Sequence, residues 1–209
     1  MAMKYLLDRV FSCILLIVLC PLFIFICILI KLDSKGSVMF IQQRVGKSQK
    51  LFNIYKFRTM IPDAVNIGNG VYTEENDPRI TRIGKFLRKT SLDELPQLLN
   101  IFFGDMSFIG PRPTLEYQVK QYNDFQKKRL RMKPGVTGLA QINGRNSISW
   151  PERIKHDVQY VENWSLGLDL KIFLKTFWVI FKQEGLYGEN EKFLIKDDEM
   201  SNKNDAKNI

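Results

Sequence analysis

The chain has 209 residues, 45% of them hydrophobic and 25% charged, enough to bury one core, so one domain plus an anchor is the expected organisation. Lys and Arg outnumber Asp and Glu by 31 to 22, a net charge of +9 that suits nucleic acid, an anionic membrane surface or phosphorylated small molecules. The three cysteines (Cys13, Cys20 and Cys27) lie in one apolar run, and the only histidine is His156, which excludes a disulfide framework and a zinc site.

Residues 10–30 carry no charge and are long enough to span a bilayer as a helix. Lys4 and Arg9 precede the run as in a signal peptide, but Lys31, Leu32 and Asp33 follow it where a small-residue cleavage site would be needed. Pro21 stands in the middle and removes one helix hydrogen bond. A kinked spanning helix accommodates it. So does a re-entrant helix broken at Pro21, with two arms of about ten residues, each about 15 Å long. Both flanks are basic (Lys4 and Arg9, then Lys31 and Lys35), which favours no crossing direction and fits re-entry.

Residues 37–45 and 51–59 are β-prone runs around a turn at 46–50, a predicted β-hairpin. Phe52, Ile54, Lys56 and Arg58 share one strand face, so Lys56 and Arg58 either aim two cations at one spot or are simply solvated. Residues 61–78, with Pro62, Gly68, Gly70 and Pro78, read as a loop. From Arg79 the spacing is helical: Ile80, Ile83 and Leu87 form a stripe among Arg79, Arg82, Lys85, Arg88 and Lys89. Such a helix suits an anionic membrane face or the protein's own core. A second helix is predicted from about Asp93 to the C-cap Gly104, with Pro96 in its first turn. Asp169 is expected to cap a helix over 170–182. The domains are then a membrane anchor over 1–35, a folded unit over 36–188 and a disordered tail over 189–209. The fold class is α+β and mainly helical.

Three groupings bear chemistry. Ser91-Leu92-Asp93-Glu94 has the pattern of a capping box. At a helix start both acids would be ionised, one able to face a phosphorus while the other holds a hard cation. Gly110-Pro111-Arg112-Pro113 holds an arginine on a stiff backbone, preset for phosphate. The glycine-rich stretch over 133–146, which contains Gln141, Asn143, Arg145 and Asn146, could wrap a nucleotide or serve as a polar loop. No nucleic-acid module is visible.

These motifs occur in one order: the apolar N-terminus with its proline, Lys56-Phe57-Arg58-Thr59-Met60, Ser91 through Gln97, Gly104 through Pro113, Lys133 through Gly138, and Gln141 through Asn146. Over residues 3–185 the chain resembles the bacterial sugar transferase family, the small monotopic phosphoglycosyl transferases. The resemblance implies a re-entrant helix hairpin, amphipathic surface helices and a small compact head with the β-hairpin. It implies transfer of a sugar-1-phosphate from a UDP-sugar, often N-acetylated, to undecaprenyl phosphate, with release of UMP. Asp93 would be the nucleophile, Glu94 would hold Mg²⁺, and Arg112 would bind phosphate. Lys56, Arg58, Arg88, Arg145 and Asn146 would contact the nucleotide or brace the site. It places the protein in the bacterial inner membrane, head on the cytoplasmic face, at the first membrane step of glycan assembly and beside other glycan-assembly enzymes. Relatives often carry Ser before the proline of the break, where this chain has Cys20, a weaker donor. The competing reading is a membrane-anchored scaffold that binds anionic partners.

Overall fold

The computed structural model describes residues 1–67 and 77–182. The centre of the expected loop and the expected tail lie outside them. The chain opens with two helices, α1 (Ala2–Val18) and α2 (Cys20–Asp33), which meet at 63°. Among the described residues no single helix is long and apolar enough to cross a membrane; this bent pair reaches the required length only together.

The bend corrects one expectation. It falls at Leu19, and Pro21 takes the first turn of α2, where its missing N–H needs no partner. The arms are also longer than ten residues, because α1 begins at Ala2 and runs through Lys4, Asp8 and Arg9. Lys4 and Arg9 were expected beside the membrane, but the head takes up Lys4, together with Asp8. Lys4 is only 5% exposed and pairs with Asp169 at 2.8 Å. The Ser107 hydroxyl donates to Asp8 at 2.7 Å. Asp169 also accepts from Tyr160 at 2.7 Å and from the Trp164 indole at 3.1 Å.

Past this anchored base, Leu15, Leu16, Leu19 and Phe23 pack against Leu98 and Ile101, while Ile26 and Ile30 pack against Phe57 and Leu87. The opposite faces of α1 and α2 leave Ile17, Val18, Phe25 and Leu32 exposed. The far end of α2 is tied to the head as well. The Ile83 N–H donates to Asp33, and the Arg58 guanidinium binds the carbonyls of Ser34 and Lys35.

The predicted hairpin is present, with β1 (Met39–Val45) antiparallel to β2 (Leu51–Phe57) and Met39 opposite Phe57. Helix α3 (Arg82–Thr90) is capped by Thr81, whose side chain accepts from the Gly84 N–H. Arg79 does not belong to its basic face, as the periodicity suggested. It is buried, pairs with Asp77 and donates to the carbonyls of Ala64 and Ile67. Helix α4 (Gln97–Phe103) ends at Gly104, in the left-handed region at φ 90°. A side chain there would also strike the Arg9 guanidinium, 2.1 Å from an added Cβ. Asn100 on α4 is fully buried and grips β2, accepting from the Tyr55 N–H and donating to the Asn53 carbonyl.

A second, two-stranded sheet pairs β3 (Ser107–Ile109) parallel to β4 (Gly135–Thr137), with the backbones of Gly110 and Gly135 in close contact. Short helices α5 (Glu116–Val119), α6 (Asp124–Lys127) and α7 (Leu139–Ile142) surround it. Two long helices close the head, α8 (Trp150–Glu162) and α9 (Leu166–Lys182). Helix α8 was not anticipated, although Ser149 and Glu152 form a capping box ahead of it. Helix α9 starts before Asp169, so Asp169 is a buried hub for the base of α1 and not a cap. Replacing a hub of this kind strands a buried cation. Asp169→Ala is expected to cost about 3–5 kcal/mol of stability, read by thermal unfolding of the detergent-solubilised protein. A loss below about 1 kcal/mol, the range of an exposed pair, would contradict a buried hub.

Candidate active site

Helix α3 stops where Ser91 turns left-handed (φ 58°), and the chain makes a single 3₁₀ turn, Leu92–Glu94, before Pro96 starts α4. Asp93 and Glu94 therefore sit in a tight link between two helices. The capping box expected at Ser91 does not form. A capping serine needs extended backbone, and the buried Ser91 hydroxyl finds no partner among the described residues.

Glu94 turns instead toward two cations. Lys56, near the end of β2, donates to its Oε1 at 2.7 Å, and Arg112 donates to the same oxygen at 2.6 Å. Burial alone would raise the Glu94 pKa. Arg112 and Lys56 outweigh burial and hold the carboxyl well below the usual carboxylate range. Arg112 is set by the loop after β3, whose Arg112 carbonyl accepts from Arg129 at 2.7 Å. Arg129 is itself buried, paired with Asp157 and bonded to the Tyr122 hydroxyl. No motif in the basic run 127–131 distinguishes Arg129 from its exposed neighbours.

Asp93 is different. It is half-buried, and its carboxylate accepts no hydrogen bond from the described residues. Burial pushes it up to about 6; Lys56, Arg88 and Arg112 pull it down and Glu94 pushes it up. A helix dipole was expected to keep both acids ionised. With α4 starting only at Gln97, burial governs Asp93, which is still mostly ionised at pH 7. Adjacent carboxylates with separated pKa values take separate roles.

The other expected residues divide. Arg88, fixed by a bond from its Nε to the Thr59 hydroxyl at 2.8 Å, lies near enough to act on Asp93 electrostatically. Arg145, left-handed at φ 50°, lines the adjoining cavity with an Nη1 that has no partner among the described residues. Arg58 is not brought to the site. Its strand ends at Phe57, so the alternation that placed it beside Lys56 stops there, and its guanidinium holds the chain after α2. Asn146 is half-buried beside Arg145 and does not line the cavity. The first part of the glycine-rich stretch forms β4. Arg44 was missed. It is half-buried, and burial together with nearby Arg112 pulls its pKa down to about 10.

The cavity beside Glu94 measures about 240 Å³ and is lined by Arg112 and Arg145 and also by Leu15 of α1 and Leu19 at the bend. Among the described residues no three His, Cys, Asp or Glu side chains cluster to cage a metal. The Asp93–Glu94 pair offers hard carboxylate oxygens, which suits an ion such as Mg²⁺ that completes its shell with phosphate and water. The arrangement pairs one unbonded carboxylate with an excess of fixed cations, the setting for chemistry on a phosphorylated substrate.

Comparison with known proteins agrees in class. The sequence model described as bacterial sugar transferase matches residues 1–183. The exopolysaccharide production protein ExoY of Rhizobium meliloti is 41% identical over 86% of each chain. The undecaprenyl-phosphate galactose phosphotransferase of Salmonella typhimurium is 40% identical over 86% of this chain and 40% of its own length. The UDP-glucose:undecaprenyl-phosphate glucose-1-phosphate transferase of Klebsiella pneumoniae is 40% identical over 90% of this chain and 42% of its own length. This chain thus spans less than half of the two relatives whose names state a lipid acceptor. The chain belongs to the bacterial sugar transferase family and is a phosphoglycosyl transferase.

Proposed function

We propose that the chain transfers a sugar-1-phosphate from a UDP-sugar to undecaprenyl phosphate through a covalent intermediate on Asp93, at the first membrane step of glycan assembly. The carrying observation is the Asp93 carboxylate: unbonded, raised by burial, and next to a Glu94 that already holds two cations. An Asp93 oxygen attacks the sugar-bearing phosphorus as the bond from that phosphorus to UMP breaks, so UMP leaves with the electron pair. A phosphate oxygen of the lipid then attacks the same phosphorus. The Asp93–phosphorus bond breaks, the carboxylate is restored, and the product is a lipid diphosphate-sugar. Arg112, Lys56 and Arg88 stabilise the charge that builds on phosphoryl oxygens. Glu94 would hold Mg²⁺, which when bound neutralises part of the diphosphate charge. The two relatives named for their sugars use galactose and glucose, so UDP-galactose and UDP-glucose join the N-acetylated donors to be tried. The scaffold reading gives way to family membership.

Asp93→Asn keeps shape but loses the attacking charge. UMP release from a panel of UDP-sugars with undecaprenyl phosphate should fall more than about a hundredfold, because among the described residues no other unbonded carboxylate adjoins the cations. Because Asp93 must be ionised, kcat/KM should decline as pH drops through about 6. Lys56→Met removes a cation that favours ionisation and should move that limb upward. Near-normal release by Asp93→Asn, or a limb in the ordinary carboxylate range that Lys56→Met leaves in place, contradicts the assignment.

The same reading takes α1 and α2 as a re-entrant hairpin in the bacterial inner membrane, with the head on the cytoplasmic face. It is supported by both ends of the pair being tied to one head, Lys4 to Asp169 and Asp33 to Ile83. A crossing would separate them. With Cys13, Cys20 and Cys27 replaced, a cysteine at residue 2 should label from the cytoplasmic side. Labelling only from the periplasmic side would make the pair a span.

A further inference from the structure

The cavity that Glu94 lines has two unlike sets of lining residues. The polar set includes Arg112, Arg145, Gln141 and Ser91 beside Glu94. Gln141 is only 9% exposed, and both atoms of its carboxamide are buried without a partner among the described residues. The same holds for the Ser91 hydroxyl and for Nη1 of Arg145. Buried polar atoms are rarely left unmatched, and here four of them belong to three residues around one cavity. They offer three donors, and Arg112 adds positive charge, so the complementary group is an anion rich in acceptor oxygens.

Much of the remaining lining is aliphatic, including Leu15 of α1, Leu19 at the bend, and Val179 and Ile180 of α9. Both helices carry neighbouring apolar side chains that are exposed, Ile17 and Val18 on α1, Phe177 and Phe181 on α9. Such a wall matches the prenyl chain of a lipid phosphate directly and offers a ribose no hydrogen-bonding partner. The volume of about 240 Å³ lies below the roughly 300–1,000 Å³ of a pocket for a whole drug-sized ligand. It suits a headgroup and the first carbons of a chain whose remainder lies outside, against the exposed apolar faces.

We propose that this cavity receives the phosphate and the first isoprenoid carbons of the lipid acceptor. Arg145, Gln141 and Ser91 hold the phosphate, and Leu19 and Ile180 hold the chain. The assignment rests on the transfer reaction proposed above. It places the donor nucleotide on the opposite side of Asp93, toward Lys56 and Arg88. It also gives the bend at Leu19 a role as one wall of the acceptor site, so that the anchor helix itself contributes to substrate recognition.

Two measurements test it. Gln141→Leu removes the carboxamide at similar volume, and Ile180→Trp fills the mouth from a half-buried position. Each should raise KM for undecaprenyl phosphate at least about tenfold, while KM for the UDP-sugar stays within about twofold. An equal rise in both constants, or no rise, overturns the assignment. The second measurement does not depend on turnover. In a chain with Cys13, Cys20 and Cys27 replaced, Ile180→Cys in detergent micelles is labelled with a maleimide. Undecaprenyl phosphate should slow the labelling; phosphatidic acid, inorganic phosphate and UDP-sugar should not. Protection by UDP-sugar would give the cavity to the donor, and equal protection by phosphatidic acid would make it a general anionic-lipid site. Either result, or no protection at all, defeats the proposal. If the wild-type protein released no UMP with any donor, the transfer reaction would fall, and the labelling would still decide what the cavity binds.

Discussion

The arrangement of the site depends on the Glu94 carboxylate, where three segments far apart in sequence meet. Lys56 comes from the hairpin, Glu94 from the link between α3 and α4, and Arg112 from the loop after β3. One carboxylate shared by two cations leaves a surplus of one positive charge, and Arg88 and Arg145 lie close enough to act on the same acids. Holding so many like charges together is costly in the absence of an anion. The cations are held because Glu94, Thr59 and the braced Arg112 carbonyl fix them in place. With the hydrogen-bond capacity of Lys56 and Arg112 directed to Glu94, Asp93 is left unbonded. A nucleophile needs free lone pairs, and the neighbouring acid secures them.

A second constraint ties that site to the apolar hairpin. The ion pair of Lys4 with Asp169 and the bond of Ser107 to Asp8 seat the base of α1 in the head, and Asn100 holds β2 against α4. Leu15 and Leu19 are consequently placed at the edge of the catalytic cations. The α1 helix is an anchor and, at the same time, part of the wall of the site.

Much of this was legible from local pattern. The hairpin followed from alternation and the end of α4 from Gly104, and Glu94 and Arg112, singled out as candidates in the sequence, are brought together in the fold. The misreadings share one physical cause: a local rule overridden by a tertiary partner. Ser91 and Glu94 matched a capping box, but Glu94 gains more from Lys56 and Arg112 than from one backbone N–H. Lys4 resembled a membrane-flanking cation and Asp169 a helix cap, yet they are partners 165 residues apart. Arg58 followed the strand alternation until the strand ended one residue earlier. Arg129 carries no signal of its own, since an arginine that braces a loop and one that faces solvent look alike in a basic run. Helix α8 was visible in the Ser149 to Glu152 box and was passed over.

The central claim is that Asp93 itself carries the sugar-phosphate between the two substrates. The direct measurement is the intact mass of the wild-type protein after incubation with its UDP-sugar in the absence of lipid acceptor, followed by peptide mapping. The account predicts a gain equal to one sugar-phosphate, located on the peptide that contains Asp93 and discharged when undecaprenyl phosphate is added. An unmodified chain under conditions where transfer to the lipid proceeds at full rate would contradict it.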